Sequence, residues 1–127
     1  MDKAIRVLVA NRPKLIRELI LTALADQPGI EIVGEVADDS DIPEFVEQTS
    51  PDLLLIALDE PEKRPLICDA ILRKHPTLRI IAVASDRNRS VRYWATFDIH
   101  SDDIEPSEQG ILNAVRNITA AGVGEVS

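Results

Sequence analysis

Carboxylates, two histidines and one thiol are among the side chains of this chain that could do chemistry. Asp59 and Glu60 follow the apolar run Leu53–Ala57, which Asp52 bounds on its other side. A run without polar alternation reads as a strand buried on both faces, central in a parallel sheet. Ligand crevices in such sheets lie beyond the carboxyl ends of the strands. The residue at that end is Ala57, and a methyl group cannot carry a phosphoryl group, ligate a metal or move a proton. Cys68, the single cysteine, forms neither an internal disulfide nor a metal cluster alone, and reads as a buried thiol on a helix. His75 precedes Pro76 and reads as a helix end. Asp102 and Asp103 precede Pro106 and read as stabilising the start of a last helix. Arg87, Arg89, Arg92, Tyr93 and Trp94 crowd into one short segment of an acidic chain. Trp and Arg are enriched at interface hot spots, so this segment reads as a partner surface. The plainer reading is that Trp94 fills a gap above the sheet while the arginines sit in solvent.

The elements that must position these residues alternate along the chain. Ile5–Ala10 reads as a first strand. Pro13 suits the first turn of the helix that follows, whose apolar stripe is Leu15, Ile16, Leu19, Ile20, Ala23 and Leu24. Pro28-Gly29 stops that helix, and Ile30–Val36 reads as an edge strand. Asp38, Asp39, Ser40 and Asp41 are N-cap candidates for a short helix carrying Ile42, Phe45 and Val46. After the central strand, Leu66, Ile67, Ala70 and Ile71 form a helical stripe that ends at His75-Pro76. Leu78–Ala84 reads as a fourth strand, Ser90–Ala95 as a short helix, and Phe97-Asp98-Ile99 as a short, weak fifth strand. Pro106 opens the last helix, where Gly110 costs about 1 kcal/mol relative to alanine. Five strands separated by five helices describe an α/β, doubly wound fold with helices on both faces of a parallel sheet.

Length and composition bound the function. A chain of 127 residues makes one domain, here 1–121 with a frayed tail at 122–127. The core is aliphatic, since aromatic residues are 3% of the chain against 45% hydrophobic. A formal charge of −8 argues against coating nucleic acid or an anionic membrane. No signal-peptide layout or membrane-length apolar stretch is present, which leads us to expect a cytoplasmic protein.

Several stretches, in order and with family-like spacing, carry a resemblance. They are Ile5-Arg6-Val7-Leu8-Val9 with Pro13 and Ile16-Arg17-Glu18, then Ile30 through Asp38, then Pro51-Asp52-Leu53-Leu54-Leu55-Ile56. Pro61, His75-Pro76 and Arg79-Ile80-Ile81-Ala82-Val83 continue it. The pattern resembles response-regulator receiver domains, the signalling modules of two-component phosphorelays. It looks closest to those that precede helix-turn-helix output domains. The resemblance implies a five-stranded parallel sheet in the order 2-1-3-4-5. It also implies a mechanism. An aspartate at the end of the third strand takes a phosphoryl group from a histidine kinase, and two acidic residues after the first strand help it hold Mg²⁺. A hydroxyl residue after the fourth strand and a lysine after the fifth read the phosphoryl oxygens.

This chain departs at each of those places. Ala10 and Asn11 stand where the acidic pair belongs, Ala57 at the acceptor position and Ala84 at the hydroxyl position, although Ser85 is adjacent. His100-Ser101-Asp102-Asp103 occupies the lysine region, and Lys74 is the last lysine of the chain. Four losses in one pocket form a pattern. The sequence therefore reads as a degenerate receiver with no catalytic residue, no metal and no cofactor, acting by protein–protein contact without aspartate phosphorylation. Its partner would be another signalling protein or a second copy, met through the face formed by 87–103 and the last helix. Two alternatives stand beside it. One is phosphorylation on a displaced residue, Asp59 or Ser85. The other is a small-anion or nucleotide site in which Arg12 meets the anion, although no glycine-rich turn follows the first strand.

Overall fold

In the computed structural model the described residues are 3–60, 62–84, 89–96 and 99–117. The central strand is the expected one. All five residues of Leu53–Ala57 (β3) are buried, and only a strand with neighbours on both edges and helices on both faces can hide them all. Its neighbours are Ile5–Ala10 (β1) and Arg79–Ala84 (β4), both parallel to it. Ile30–Glu35 (β2) lies parallel to β1 at one edge of the sheet.

Side-chain alternation divides the core into two layers. Val7, Val9, Leu53, Leu55 and Ile81 meet Ile20 and Leu24 of helix Lys14–Ala25 (α1) and Leu112 and Val115 of helix Glu108–Arg116 (α4). Leu8, Leu54, Ile56, Ile80 and Ala82 point the other way. They meet Ile42 and Val46 of helix Ile42–Thr49 (α2), and Ile71 and Leu72 of helix Leu66–Lys74 (α3). Each fully buried Leu or Ile of this set contributes roughly 2–3 kcal/mol. Cys68 is buried on α3 as expected, and loss of water pushes its thiol pKa up to about 12.

The doubly wound α/β class holds, but the sheet is larger and is not wholly parallel. It has six strands in the order β2-β1-β3-β4-β5-β6. The segment read as a short helix is a strand, Arg89–Ala95 (β5), antiparallel to β4. Instead of the short stretch at 97–99, of which Phe97 and Asp98 lie outside the described residues, a six-residue strand Ile99–Ile104 (β6) runs antiparallel to β5. Four α-helices, rather than five, accompany the strands among the described residues, with a 3-10 turn at Asp39–Asp41 before α2. The physical reason lies in Val91 and Tyr93, which sit two apart and enter the core together. That is a strand period, in residue types that favour strands.

Asp102 and Asp103 are likewise strand residues of β6 and do not stand at the start of α4. Ser107 caps that helix, its hydroxyl accepting from the Gly110 N–H at 3.0 Å. Gly110 is also more than a weak helix former. A Cβ there would lie 2.2 Å from the Glu105 carbonyl oxygen, so backbone contact at the entry to α4 requires glycine. Gly110→Ala should therefore destabilise the fold by about 2 kcal/mol or more, against the helix propensity of alanine. Chemical denaturation of the two proteins side by side checks this, and an unchanged or raised midpoint would contradict it.

Candidate functional site

The parallel strands all deliver their carboxyl ends to one edge of the sheet. Register places three alanines together there. Ala10 lies opposite Ile56, and Ala57 lies opposite Val83, so Ala10, Ala57 and Ala84 end three adjacent strands. All three are buried, at 1%, 8% and 4% exposure, and the methyl groups of Ala10 and Ala84 belong to the apolar layer under α2 and α3. The first backbone donor past the tip of β3, the Leu58 N–H, is already given to the Val83 carbonyl at 2.9 Å.

Asn11 is fully buried in the turn after β1, where its Nδ2 donates to the Ile56 carbonyl at 2.9 Å. That bond fixes the orientation of the amide and leaves Oδ1 buried with no protein partner. Arg17 of α1, itself buried, holds the same turn. Its NH1 donates to the Asn11 carbonyl at 3.2 Å, while Nε pairs with Glu35 at 2.7 Å.

Arg12 is the most heavily engaged side chain of the site. Its Nε and NH2 donate to both oxygens of Asp39, at 3.0 and 2.8 Å, and NH2 also reaches Asp59 Oδ2 at 3.0 Å. The hydrogen bonds to Asp39, then those to Asp59, raise the guanidinium pKa above its ordinary value, more than burial lowers it. Asp59 is the only displaced-acceptor candidate among the described residues. Its side chain is 70% exposed, but it lies under this guanidinium. Ser85 lies outside the described residues. Beside Arg12, Asp39, Ala57, Asp59 and Lys63 opens a cleft of about 750 Å³.

A hard dication wants an octahedral set of oxygens, including one or two carboxylates. The residues present do not fit Mg²⁺. Ala10 and Ala57 have no ligand atom, Asn11 turns its NH₂ to a carbonyl, and Asp39 and Asp59 already share a cation. Among the described residues, no group of three or more His, Cys, Asp or Glu side chains could hold a metal.

The segment read as a partner surface lies on the antiparallel hairpin. Tyr93 is 4% exposed and belongs to the core, so it leaves that surface, because its strand period turns it inward with Val91. Arg92 pairs across the ladder with Asp102, Nε to Oδ1 at 2.8 Å, and Arg89 meets Asp103 at 3.2 Å. Trp94 stacks on His100 with ring centroids 5.3 Å apart and 21° between planes. Arg87 lies outside the described residues.

No family model matches the chain. A solved structure does: the signal receiver domain of the response regulator NarL from Mycobacterium tuberculosis, at a TM-score of 0.55 and 24% identity, over 65% of this chain and 68% of that one. The fold of this chain is that of a receiver domain. Sequence relatives also match a large part of the chain. A protein-glutamate methylesterase/protein-glutamine glutaminase from Hydrogenovibrio crunogenus is 32% identical over 93 residues, 72% of this chain and 25% of the relative. A namesake from Xanthomonas campestris pv. campestris is 27% identical over 78 residues, 61% of this chain and 22% of its own length. The receiver thus spans about a quarter of the curated relatives it matches.

Asp39, Arg17 and Glu35 escaped the sequence reading. From sequence alone Asp39 reads as a helix cap, and Arg12 only as an anion contact. The signal for both was topological, since Asp39 and Asp59 follow strands that flank β1.

The Asn11 contact gives a pH-dependent prediction. In Asn11→Asp, a carboxylate would face the Ile56 carbonyl in a buried turn, so its folded pKa must rise above the unfolded value of about 3.9. The variant is then close to wild type below that pH, where the acid is neutral in both states. It loses stability as pH rises towards the folded pKa, by about 3 kcal/mol at neutrality. Urea unfolding at acid and neutral pH measures the difference, and equal losses at both would contradict the assignment.

Proposed function

We propose that this receiver works by protein–protein contact in a two-component pathway, without aspartate phosphorylation and without an enzymatic step of its own. Receiver domains meet other signalling proteins, and the resemblance to them runs through most of the described residues. The observation that carries the finer reading is Ala57, a methyl group at the carboxyl end of the central strand. Phosphoryl transfer depends on charge placed around the moving group, and the alanines at 10, 57 and 84 supply none. Asp59, the nearest exposed carboxylate, is engaged by Arg12. The methylesterase activity named for the relatives belongs to proteins about four times as long as the matched segment, and nothing in this segment calls for it.

The contact surface we assign is the outer part of the hairpin, where Trp94 covers His100 and Arg92 faces Asp102. Aromatic and arginine side chains make the strongest anchors of such surfaces. The occupant is another signalling protein or a second copy of the chain.

Two measurements test this reading. Incubation with acetyl phosphate and Mg²⁺ should leave the intact mass unchanged. An added phosphoryl group would end the reading, and its loss in Asp59→Ala or Ser85→Ala would locate the displaced acceptor. Separately, a Trp94→Ala/Arg92→Ala variant that keeps the wild-type circular dichroism should retrieve fewer partners, or self-associate less, than wild type. Equal behaviour would move the surface elsewhere.

A further inference from the structure

The misfit between this pocket and a dication has a positive side. One side chain already does for two carboxylates what a bound dication would do. Asp39 and Asp59 belong to segments that follow β2 and β3, and Arg12 to the turn after the strand between them. Two carboxylates drawn to one point repel each other unless a cation stands between them. The Arg12 guanidinium is planar and charged at every working pH, and its fork matches carboxylate geometry. It holds Asp39 through two bonds and reaches Asp59 through NH2. Arg17, anchored on Glu35 at the end of β2, grips the neighbouring Asn11 carbonyl from the other side.

We infer that Arg12 is a built-in cation that replaces an exchangeable metal ion, cross-linking the loops after β1, β2 and β3 in a single fixed arrangement. A receiver assembled this way keeps its signalling edge in one state, whatever the level of Mg²⁺ or phosphodonor. This deepens the reading proposed above and rests on it. The two can fail separately, because that reading is judged by a phosphoryl adduct and this one by the response to ions.

The test uses the full chain and asks whether removing the guanidinium creates a requirement for a dication. Arg12→Ala removes the guanidinium that pairs with both Asp39 and Asp59 and leaves Lys63 and Arg64 as the cations lining their cleft. Mg²⁺ should then raise its melting temperature by roughly 4 °C at about ten times the dissociation constant. NaCl of equal ionic strength should not. Wild type should shift by less than about 1 °C in either salt. Mn²⁺, followed by water-proton relaxation, should bind Arg12→Ala at least about tenfold more tightly than wild type. Asp59→Asn in the Arg12→Ala background should abolish that gain. Should Arg12→Ala fail to fold, Arg12→Gln keeps the stem and one donor and is held to the same expectations. Equal Mg²⁺ responses in wild type and variant would overturn the inference, as would no dication-specific response in either variant.

Discussion

The structure depends on desolvating one short strand. Leu53–Ala57 hides every side chain, which demands β1 and β4 as neighbours and helices above and below. Once those neighbours are parallel, their carboxyl ends must emerge side by side. The convergence of Asn11, Arg12, Ala57 and Asp59 is therefore a by-product of hiding hydrocarbon, and any residue at those positions inherits the location. The site's geometry comes from the core, while its chemistry comes from which side chains stand at the strand tips.

A cluster of acids at such a point is stable only with positive charge supplied from solution. This chain has dealt with the same electrostatic problem from within. The methyl groups at 10, 57 and 84 leave the buried part of the pocket without charge. A neutral amide at Asn11 binds a carbonyl that a carboxylate would repel. At the wetter rim, where Asp39 and Asp59 remain, a guanidinium balances them. Each of these side chains suits the dielectric of its own position, neutral where dry and ion-paired where partly exposed.

Much of this was legible in the sequence. Unbroken apolar runs announced β3 and β4, and helical stripes announced α1, α2 and α3. Ala57 at the tip of β3 could be named without coordinates. The segment 90–95 reads as a short helix in an alternating chain, yet the spacing of Val91 and Tyr93 is a strand period. Asp102 and Asp103 read as the start of the last helix, yet an edge strand benefits from charge, and Asp102 finds Arg92 across the ladder. The bridge between Arg12, Asp39 and Asp59 spans 47 positions of sequence and follows only from strand order. The need for Gly110 was invisible too, because it arises from a carbonyl five residues upstream.

The reversal of chain direction at β5 also sets the outer geometry of the domain. Arg89 lies opposite Ala84, at the end of the sheet where the alanines cluster, whereas Tyr93 lies opposite Ile80 near the start of β4. Trp94 and His100 are thereby carried to the far pole, roughly 20 Å from the cleft, the length of a six-residue strand. A molecule seated on the indole pole leaves the arginine-bridged pole uncovered.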